Sequence, residues 1–271
     1  MERTVLITGC SSGIGHATAE AYLDADWTVY ATARDEGDLE DLADAGCRTA
    51  ELDVTKPARC TAVVERVIDE TGRLDCLVNN AGFGQYGTVE DVPTRRLHRQ
   101  FDVNLYGPHR LIRAVLPHMR EVGDGTIVNV SSVSGRLAAP VEGAYAASKF
   151  ALEALSDSLR AEVAEFGIDV VLVEPGPVKA SFDDRVADEL DALDRTDAYD
   201  GLYEAYEDAR LLVDMGEIEP EAVAAVILEA GTSTDPAPRY PVGGFARLTL
   251  LARFLPDRWR DAIIGLLRRL S

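Results

Sequence analysis

Short, nearly continuous apolar runs alternate along this chain with longer stretches whose apolar positions recur every three to four residues. The runs fall at Thr4–Thr8, Thr28–Thr32, Leu74–Asn79, Thr126–Ser131 and Asp169–Glu174, with a weaker one at Thr49–Leu52 and a late one at Arg239–Val242. Between them, helical spacing predicts helices over 13–24, 36–45, 56–71, 94–121, 145–166 and 219–231. A strand that is apolar at nearly every position is buried on both faces, so the pattern calls for a parallel sheet covered by helices on each side. Right-handed crossovers then give a doubly wound α/β sheet of about seven strands. The chain, 1–271, reads as a single domain, a size that one α/β core sustains.

Two segments break the alternation. Residues 177–217 are rich in Asp, Tyr and Ala and carry no strand pattern, which predicts a helical excursion over the carboxyl edge of the sheet. Residues 245–271 form an apolar, basic tail with six arginines against two aspartates. There Trp259, Ile263, Leu266, Leu267 and Leu270 fall on one helical stripe, with Arg260, Arg268 and Arg269 beside it. Such a stripe packs on its own domain, packs on a partner subunit, or lies on an anionic membrane surface; the packed readings are the commoner ones.

The first run ends in Thr8-Gly9-Cys10-Ser11-Ser12-Gly13-Ile14-Gly15, which opens the first predicted helix. Glycines at such a turn let backbone N–H groups approach a pyrophosphate, and the helix N-terminus adds positive partial charge. The strand–turn–helix context makes this a dinucleotide-binding loop, with Gly9, Ser11, Ser12, Gly13, Ile14 and Gly15 as cofactor-binding candidates.

Tyr145 and Lys149 are spaced i, i+4 at the start of a predicted helix, which sets both side chains on one face with Cβ atoms about 5–6 Å apart. A carbonyl that receives hydride must be protonated on oxygen, and an alcohol must lose that proton in reverse. A phenol of ordinary pKa, about 10, is a weak base at neutral pH; a neighbouring ammonium favours its ionised form. Tyr145 is therefore the candidate general acid/base and Lys149 the group that tunes it. Ser132 ends the run Ile127–Ser132 at a strand's carboxyl end, where its hydroxyl can donate to a substrate oxygen as negative charge builds. Ser131 is the alternative, but adjacent strand residues face opposite ways, so one of the two reaches the site.

In these motifs the chain resembles the classical short-chain dehydrogenase/reductase family. Thr8, Gly9, Gly13 and Gly15 match its T-G-x-x-x-G-x-G, Asn79-Asn80-Ala81-Gly82 its Asn-Asn-Ala-Gly, and Tyr145 to Lys149 its Tyr-x-x-x-Lys, with the serine thirteen positions upstream selecting Ser132. The resemblance, over about residues 4–242, implies a Rossmann fold and a nicotinamide-dependent oxidoreductase that interconverts alcohols with ketones or aldehydes. It implies that Lys149 also holds the nicotinamide ribose and that Asn104 holds a water linking the lysine to solvent; the competing reading of Asn104 is an amide that bridges backbone groups. By the same resemblance Asp53 and Val54 contact the adenine, Asn80 and Ala81 flank its ribose with Gly82 beside them, and Pro175, Gly176 and Val178 support the nicotinamide. Asp53 also reads as an N-cap for the following helix, and Gly82 as a plain turn residue. Where the family usually carries threonine, this chain has Ala180 followed by Ser181.

Cofactor choice turns on the end of the second strand. A carboxylate about 20 residues past the loop would bind the ribose 2′-hydroxyl of NAD, but that position is Ala33, followed by Arg34. Without the carboxylate a 2′-phosphate is not repelled, and Arg34 can pair with it, so NADP(H) is expected over NAD(H). Asp35, two places late, is the rival NAD ligand. The substrate pocket is expected from Phe83, Tyr86, Arg136 or Leu137, Glu142 and the 177–217 segment with Phe182, Tyr199, Tyr203 and Tyr206, which fits a fairly apolar alcohol or ketone.

Charge changes the picture further. The net charge is −20, and of 27 basic residues only Lys56, Lys149 and Lys179 are lysines. Such a surface repels nucleic acid and repels itself unless salt screens it, so a salt-rich cytoplasm is expected, with no nucleic-acid partner. Cys10, Cys47, Cys60 and Cys76 lie too far apart for a disulfide framework or zinc ribbon. The first strand begins at Thr4, which leaves no room for a signal peptide and makes the cytoplasm the expected location. His16, His98, His109 and His118 have no metal spacing, and a surface position is expected for them. A homodimer or homotetramer through the two long helices is expected from the resemblance. The rival reading is a catalytically silent, NADP-binding sensor, which has no need of the full Asn104, Ser132, Tyr145 and Lys149 set.

Overall fold

The computed structural model describes residues 3–179, 182–213, 217–244, 246, 254–259, 261–262 and 265, without the side chains of 182–185 and 209–213. Seven parallel strands form one sheet in the order β3-β2-β1-β4-β5-β6-β7. They are β1 (Thr4–Thr8), β2 (Thr28–Ala33), β3 (Arg48–Glu51), β4 (Cys76–Asn79), β5 (Gly125–Val130), β6 (Ile168–Pro175) and β7 (Arg239–Val242). The chain works outward from β1 to β3, then crosses back to β4 and outward again. That reversal opens a crevice above the carboxyl ends of β1 and β4.

The helices are α1 (Gly13–Asp24), α2 (Glu40–Ala45) after a 3-10 turn at Glu36–Leu39, α3 (Pro57–Thr71), α4 (Thr94–Phe101), α5 (Gly107–Val122), α6 (Gly143–Val163), α7 (Phe182–Asp191), α8 (Asp200–Val213) and α9 (Pro220–Thr232). Strand residues alternate between two cores. Val5 and Ile7 pack with Tyr22 of α1 and Val223 and Ile227 of α9, whereas Leu6 packs on the other face with Val63, Val67, Leu111, Val115 and Met119 of α3 and α5. Every one of these side chains is buried, as the two-faced apolar pattern requires.

The helix expected over 94–121 is interrupted. Residues Asp102–Tyr106 form a π turn between α4 and α5, in which the Gly107 N–H donates to the Asp102 carbonyl five residues back. The buried positions through this stretch, Gln100 and Asn104, are polar, so the apolar spacing carries no signal of the interruption. The excursion over 177–217 is helical, as α7 and α8, and Tyr203 of α8 is buried against Leu190 and Leu193. Ala180 and Ser181 lie outside the described residues, as do Ile263, Leu266, Leu267, Leu270, Arg260, Arg268 and Arg269 of the tail stripe; Trp259 is exposed. Among the described residues no helix is long and apolar enough to cross a membrane. The four cysteines are buried free thiols, and burial pushes Cys10 and Cys76 up to about 12.

Candidate active site

The crevice gathers the glycine loop after β1, the Asn79–Gly82 segment after β4, Ser132 after β5 and the first turns of α6. Gly9 and Gly13 take positive φ, +74° and +58°. A β-carbon on Gly15 would run into the Gly9 carbonyl and the Asn80 amide, and one on Gly9 would meet the Ala81 backbone at 2.9 Å. This cradle is shaped by lack of side chains, which fits a pyrophosphate approaching the backbone. Ser12 stands at the N-cap of α1, with Ser11 before it and Ile14 packed on the α1 core.

Neutral hydrogen bonds latch the loop to β4. The Thr8 hydroxyl accepts from the N–H groups of Asn80 (3.0 Å) and Ala81 (2.9 Å), and the Asn80 side-chain amide donates to the carbonyls of Thr8 (2.9 Å) and Gly9 (3.0 Å). Asn80 thus braces the loop with its side chain. Gly82 follows beside the Asn104 carboxamide.

At the end of β2, Ala33 is buried and Arg34 is exposed. The Asp35 carboxylate caps the 3-10 turn, accepting from the Gly37 N–H at 3.0 Å. Asp53 does not cap α3, whose N-cap is Lys56; its carboxylate accepts from the N–H (2.9 Å) and hydroxyl (2.7 Å) of Thr55 two residues on. A tight turn separates Asp53 from the helix, and the side chain is spent on it. Burial works against the charge of Asp53, but the Thr55 bonds, with Lys56 and Arg34 adding their fields, hold it below the usual carboxylate range. Val54 is buried, and its carbonyl accepts from Arg110 at 3.0 Å.

Tyr145 and Lys149 face the same interior from the first turns of α6, with the Lys149 Nζ 5.8 Å from the centre of the Tyr145 ring. Lys149 donates to the Val130 carbonyl of β5 at 2.7 Å, which fixes its amine beneath the site. Burial pulls its pKa down to about 8, against the pull of the Glu153 carboxylate. Ser132 is buried, and its Oγ accepts from the Ser134 N–H at 3.1 Å, leaving its own O–H as a donor. Ser131 is also buried and packs instead beside Gly135.

Asn104 sits in the π turn with its carboxamide fully engaged. Its Oδ1 accepts from the Phe83 N–H (3.1 Å), and its Nδ2 donates to the Phe83 carbonyl (3.0 Å) and to the Ser148 hydroxyl (3.2 Å). Ser148 in turn donates to the Tyr145 carbonyl at 2.7 Å, so the amide bridges backbone and reaches α6. Pro175 ends β6, and the Gly176 N–H donates to the Val242 carbonyl; Val178 bridges to Ile218.

The pocket wall differs from expectation at several points. Tyr86 lies 5.6 Å from the Tyr145 ring and 5.9 Å from that of Tyr206, so two tyrosines lead to the phenol. Tyr203 is instead a core residue tied to Asp91 (2.7 Å), and Tyr199 bonds Glu90 (2.7 Å). Arg136 pairs with Glu174 at 2.9 Å, because a buried carboxylate needs a cation. The Glu142 carboxylate accepts from the Ser134 hydroxyl at 3.0 Å, and burial raises its pKa against that bond. His118 is half-buried and accepts from the Leu74 N–H at 3.3 Å, correcting its surface assignment.

Sequence reasoning passed over Ser148, Arg110 and the buried Asn79–Asn129–Ser156 ladder, with bonds of 2.8 and 2.9 Å. It also passed over the Arg136, Glu153, Glu174 and Arg239 cluster. None has a local spacing signal, since each partner comes from a different element.

One phenol, one hydroxyl and one amine beside a dinucleotide cradle suit exchange between CH–OH and C=O, and the chain is an oxidoreductase of that class. Residues 3–191 match the model of the short chain dehydrogenase family, and the chain belongs to it. It is 37% identical over 266 residues to "Uncharacterized oxidoreductase YbbO" of Escherichia coli (strain K12), covering 97% of this chain and 94% of that protein. It is 38% identical to human 17-beta-hydroxysteroid dehydrogenase type 1 over 256 residues, 89% of this chain and 77% of the other. Among solved structures, a short-chain dehydrogenase from Streptomyces avermitilis superposes with a TM-score of 0.83 at 37% identity, covering 97% of this chain and 95% of that one.

Proposed function

We propose that this protein reduces a fairly apolar ketone or aldehyde to its alcohol, or runs the reverse, with NADP(H) preferred over NAD(H). The observation that carries the reading is the buried Tyr145–Lys149 pair, ring centre to Nζ 5.8 Å, tied through Val130 to the same carboxyl edge of the sheet that carries the glycine loop. A nicotinamide bound there would supply or accept the hydride.

The chain's own residues do the rest. The Tyr145 hydroxyl gives its proton to the carbonyl oxygen as charge develops there, and takes it back in oxidation. Lys149, fixed by Val130, stabilises the resulting phenolate and holds the nicotinamide ribose. Ser132 donates its hydroxyl to the same substrate oxygen. Asn104 holds the water that links Lys149 to solvent, and its side-chain bonds to Phe83 and Ser148 fix the π turn in which it sits. Gly9, Ser11, Ser12, Gly13, Ile14 and Gly15 hold the pyrophosphate, Asp53, Val54, Asn80, Ala81 and Gly82 the adenosine, and Pro175, Gly176 and Val178 the nicotinamide.

The preference for NADP(H) is supported by an exposed Arg34 at the end of β2, a buried Ala33 in place of the acidic residue, and an Asp35 carboxylate turned to Gly37. Tyr86 and Tyr206 around the phenol support an apolar substrate, and 17-beta-hydroxysteroid dehydrogenase type 1 is a relative named for one. A homodimer or homotetramer in a salt-rich cytoplasm completes the reading, the latter supported by the net charge of −20.

A panel of ketones, aldehydes and alcohols with NADP(H) and NAD(H) tests the reaction. The combined change Ala33→Asp and Arg34→Ala is expected to move the kcat/KM ratio of NADPH to NADH toward NADH by about tenfold or more, the loss of one bidentate charged contact. An unchanged ratio contradicts the 2′-phosphate assignment.

A further inference from the structure

Behind Lys149 lies a buried cluster of charges that comes from four separate elements. Glu174 of β6 is 1% exposed and Glu153 of α6 is 5% exposed, the two most buried glutamates among the described residues. Arg136, just past Ser132, stands 2.9 Å from Glu174 Oε1 and 3.6 Å from Glu153 Oε2. Arg239 of β7 reaches the same carboxylates, 3.1 Å from Glu153 Oε2 and 3.3 Å from Glu174 Oε1. Arg239 continues to Asp157 at 2.7 Å, which Arg160 also meets at 2.8 Å.

Buried ion clusters are often no more stabilising than apolar groups of the same shape, so fold stability is a weak reason for this one. Its position gives a stronger reason. Glu153 follows Lys149 by four residues, on the same helical face. Gly135 lets the turn after β5 lie against both: a β-carbon there would stand 3.2 Å from Lys149 Cβ and 3.2 Å from Glu153 Cγ. Glu153 spends Oε2 on the arginines, while its buried Oε1 has no hydrogen-bond partner. A carboxylate oxygen without a donor, one turn from a buried amine, acts through its field.

We propose that Glu153 is a positioning residue for proton transfer at Tyr145: clamped by Arg136 and Arg239, it keeps the Lys149 side chain charged beneath the phenol. The proposal rests on the Tyr145–Lys149 reading above. Beside Lys149 stand Tyr145 on its own helix and the Val130 carbonyl of β5, and behind Glu153 stand Arg136, Arg239 of β7 and Glu174 of β6. Removing the Glu153 charge leaves Arg136 and Arg239 facing Glu174 alone, a net positive change that disfavours the ammonium. Removing the Arg239 charge leaves a net negative one that favours it.

With only three lysines in the chain, of which Lys56 and Lys179 are exposed, NMR of protein labelled with 13C,15N-lysine follows Lys149 directly. Wild-type Lys149 is expected to titrate at about 8. Glu153→Gln should lower that midpoint by about one pH unit or more, and Arg239→Gln should raise it, with the double variant returning toward wild type. The alkaline limb of kcat/KM for carbonyl reduction should move with each midpoint. Should Glu153→Gln fail to fold, Arg239→Gln set against Arg239→Lys carries the test: the rise should vanish in Arg239→Lys, which keeps the positive charge, whereas damaged packing would raise the midpoint in both. Midpoints unmoved by the folded variants, or moved without return in the double variant, overturn the proposal. Tyr145→Phe retaining turnover would instead overturn the catalytic reading and leave the titration result standing.

Discussion

Around the glycine loop, position is set by missing side chains and by hydrogen bonds between neutral groups: Gly9 and Gly15, the Thr8 hydroxyl, the Asn80 amide. Around Tyr145 it is set by charge: buried Lys149, Glu153 and Glu174, with half-buried Arg136 and Arg239. In the proposed reaction the first half presents backbone to a charged ligand and needs room. The second moves a proton at one atom and needs a controlled field. A steric cradle responds to volume, whereas an electrostatic one responds to charge, so the two halves should fail in different ways.

The largest separation is expected at Ser132. Ser132→Ala removes a donor to the developing oxyanion and should lower kcat by about 10²–10³ while leaving cofactor affinity unchanged by fluorescence titration. Equal losses in both would dissolve the distinction between halves. Gly15→Ala should do the reverse: it should weaken cofactor binding by about tenfold or more, with kcat at saturating cofactor little altered. Thr8→Val keeps the shape but strips the acceptor from two backbone N–H groups, and a loss of about 1–3 kcal/mol in urea denaturation is expected. The smallest effect concerns the whole surface. Raising salt from about 0.1 M to about 1 M shortens the Debye length from ~10 Å to ~3 Å, and Tm should rise by calorimetry as the repulsion of a chain at −20 is screened. A flat Tm would remove the salt-rich setting.

The same contrast explains what was legible in the sequence. Glycine spacing, a strand that runs Val5-Leu6-Ile7, and Tyr145 one turn from Lys149 are local signals, because neighbours in sequence create the geometry. All seven strands and the order of elements followed from such signals. The charge cluster did not, since Arg136, Glu153, Glu174 and Arg239 each look like an ordinary solvated charge until the sheet brings them together. The π turn at Asp102–Tyr106 was hidden because the buried positions around it, Gln100 and Asn104, are polar and give no apolar signal. Asp53 carries a local capping signal and Asp35 the rival NAD role; Asp35 caps its turn, while Asp53 binds Thr55 because the helix starts three residues later than a cap would require.

The phenol of Tyr145 offers the most direct test of the proposed chemistry. Tyr145→Phe removes one oxygen atom and leaves the Lys149–Val130 contact and the glycine cradle in place. Stopped-flow measurement of hydride transfer to a carbonyl substrate, alongside fluorescence titration of NADPH, is predicted to give a rate lower by about 10²–10⁴ with cofactor affinity within about twofold of wild type. A variant that transfers hydride at the wild-type rate would contradict it.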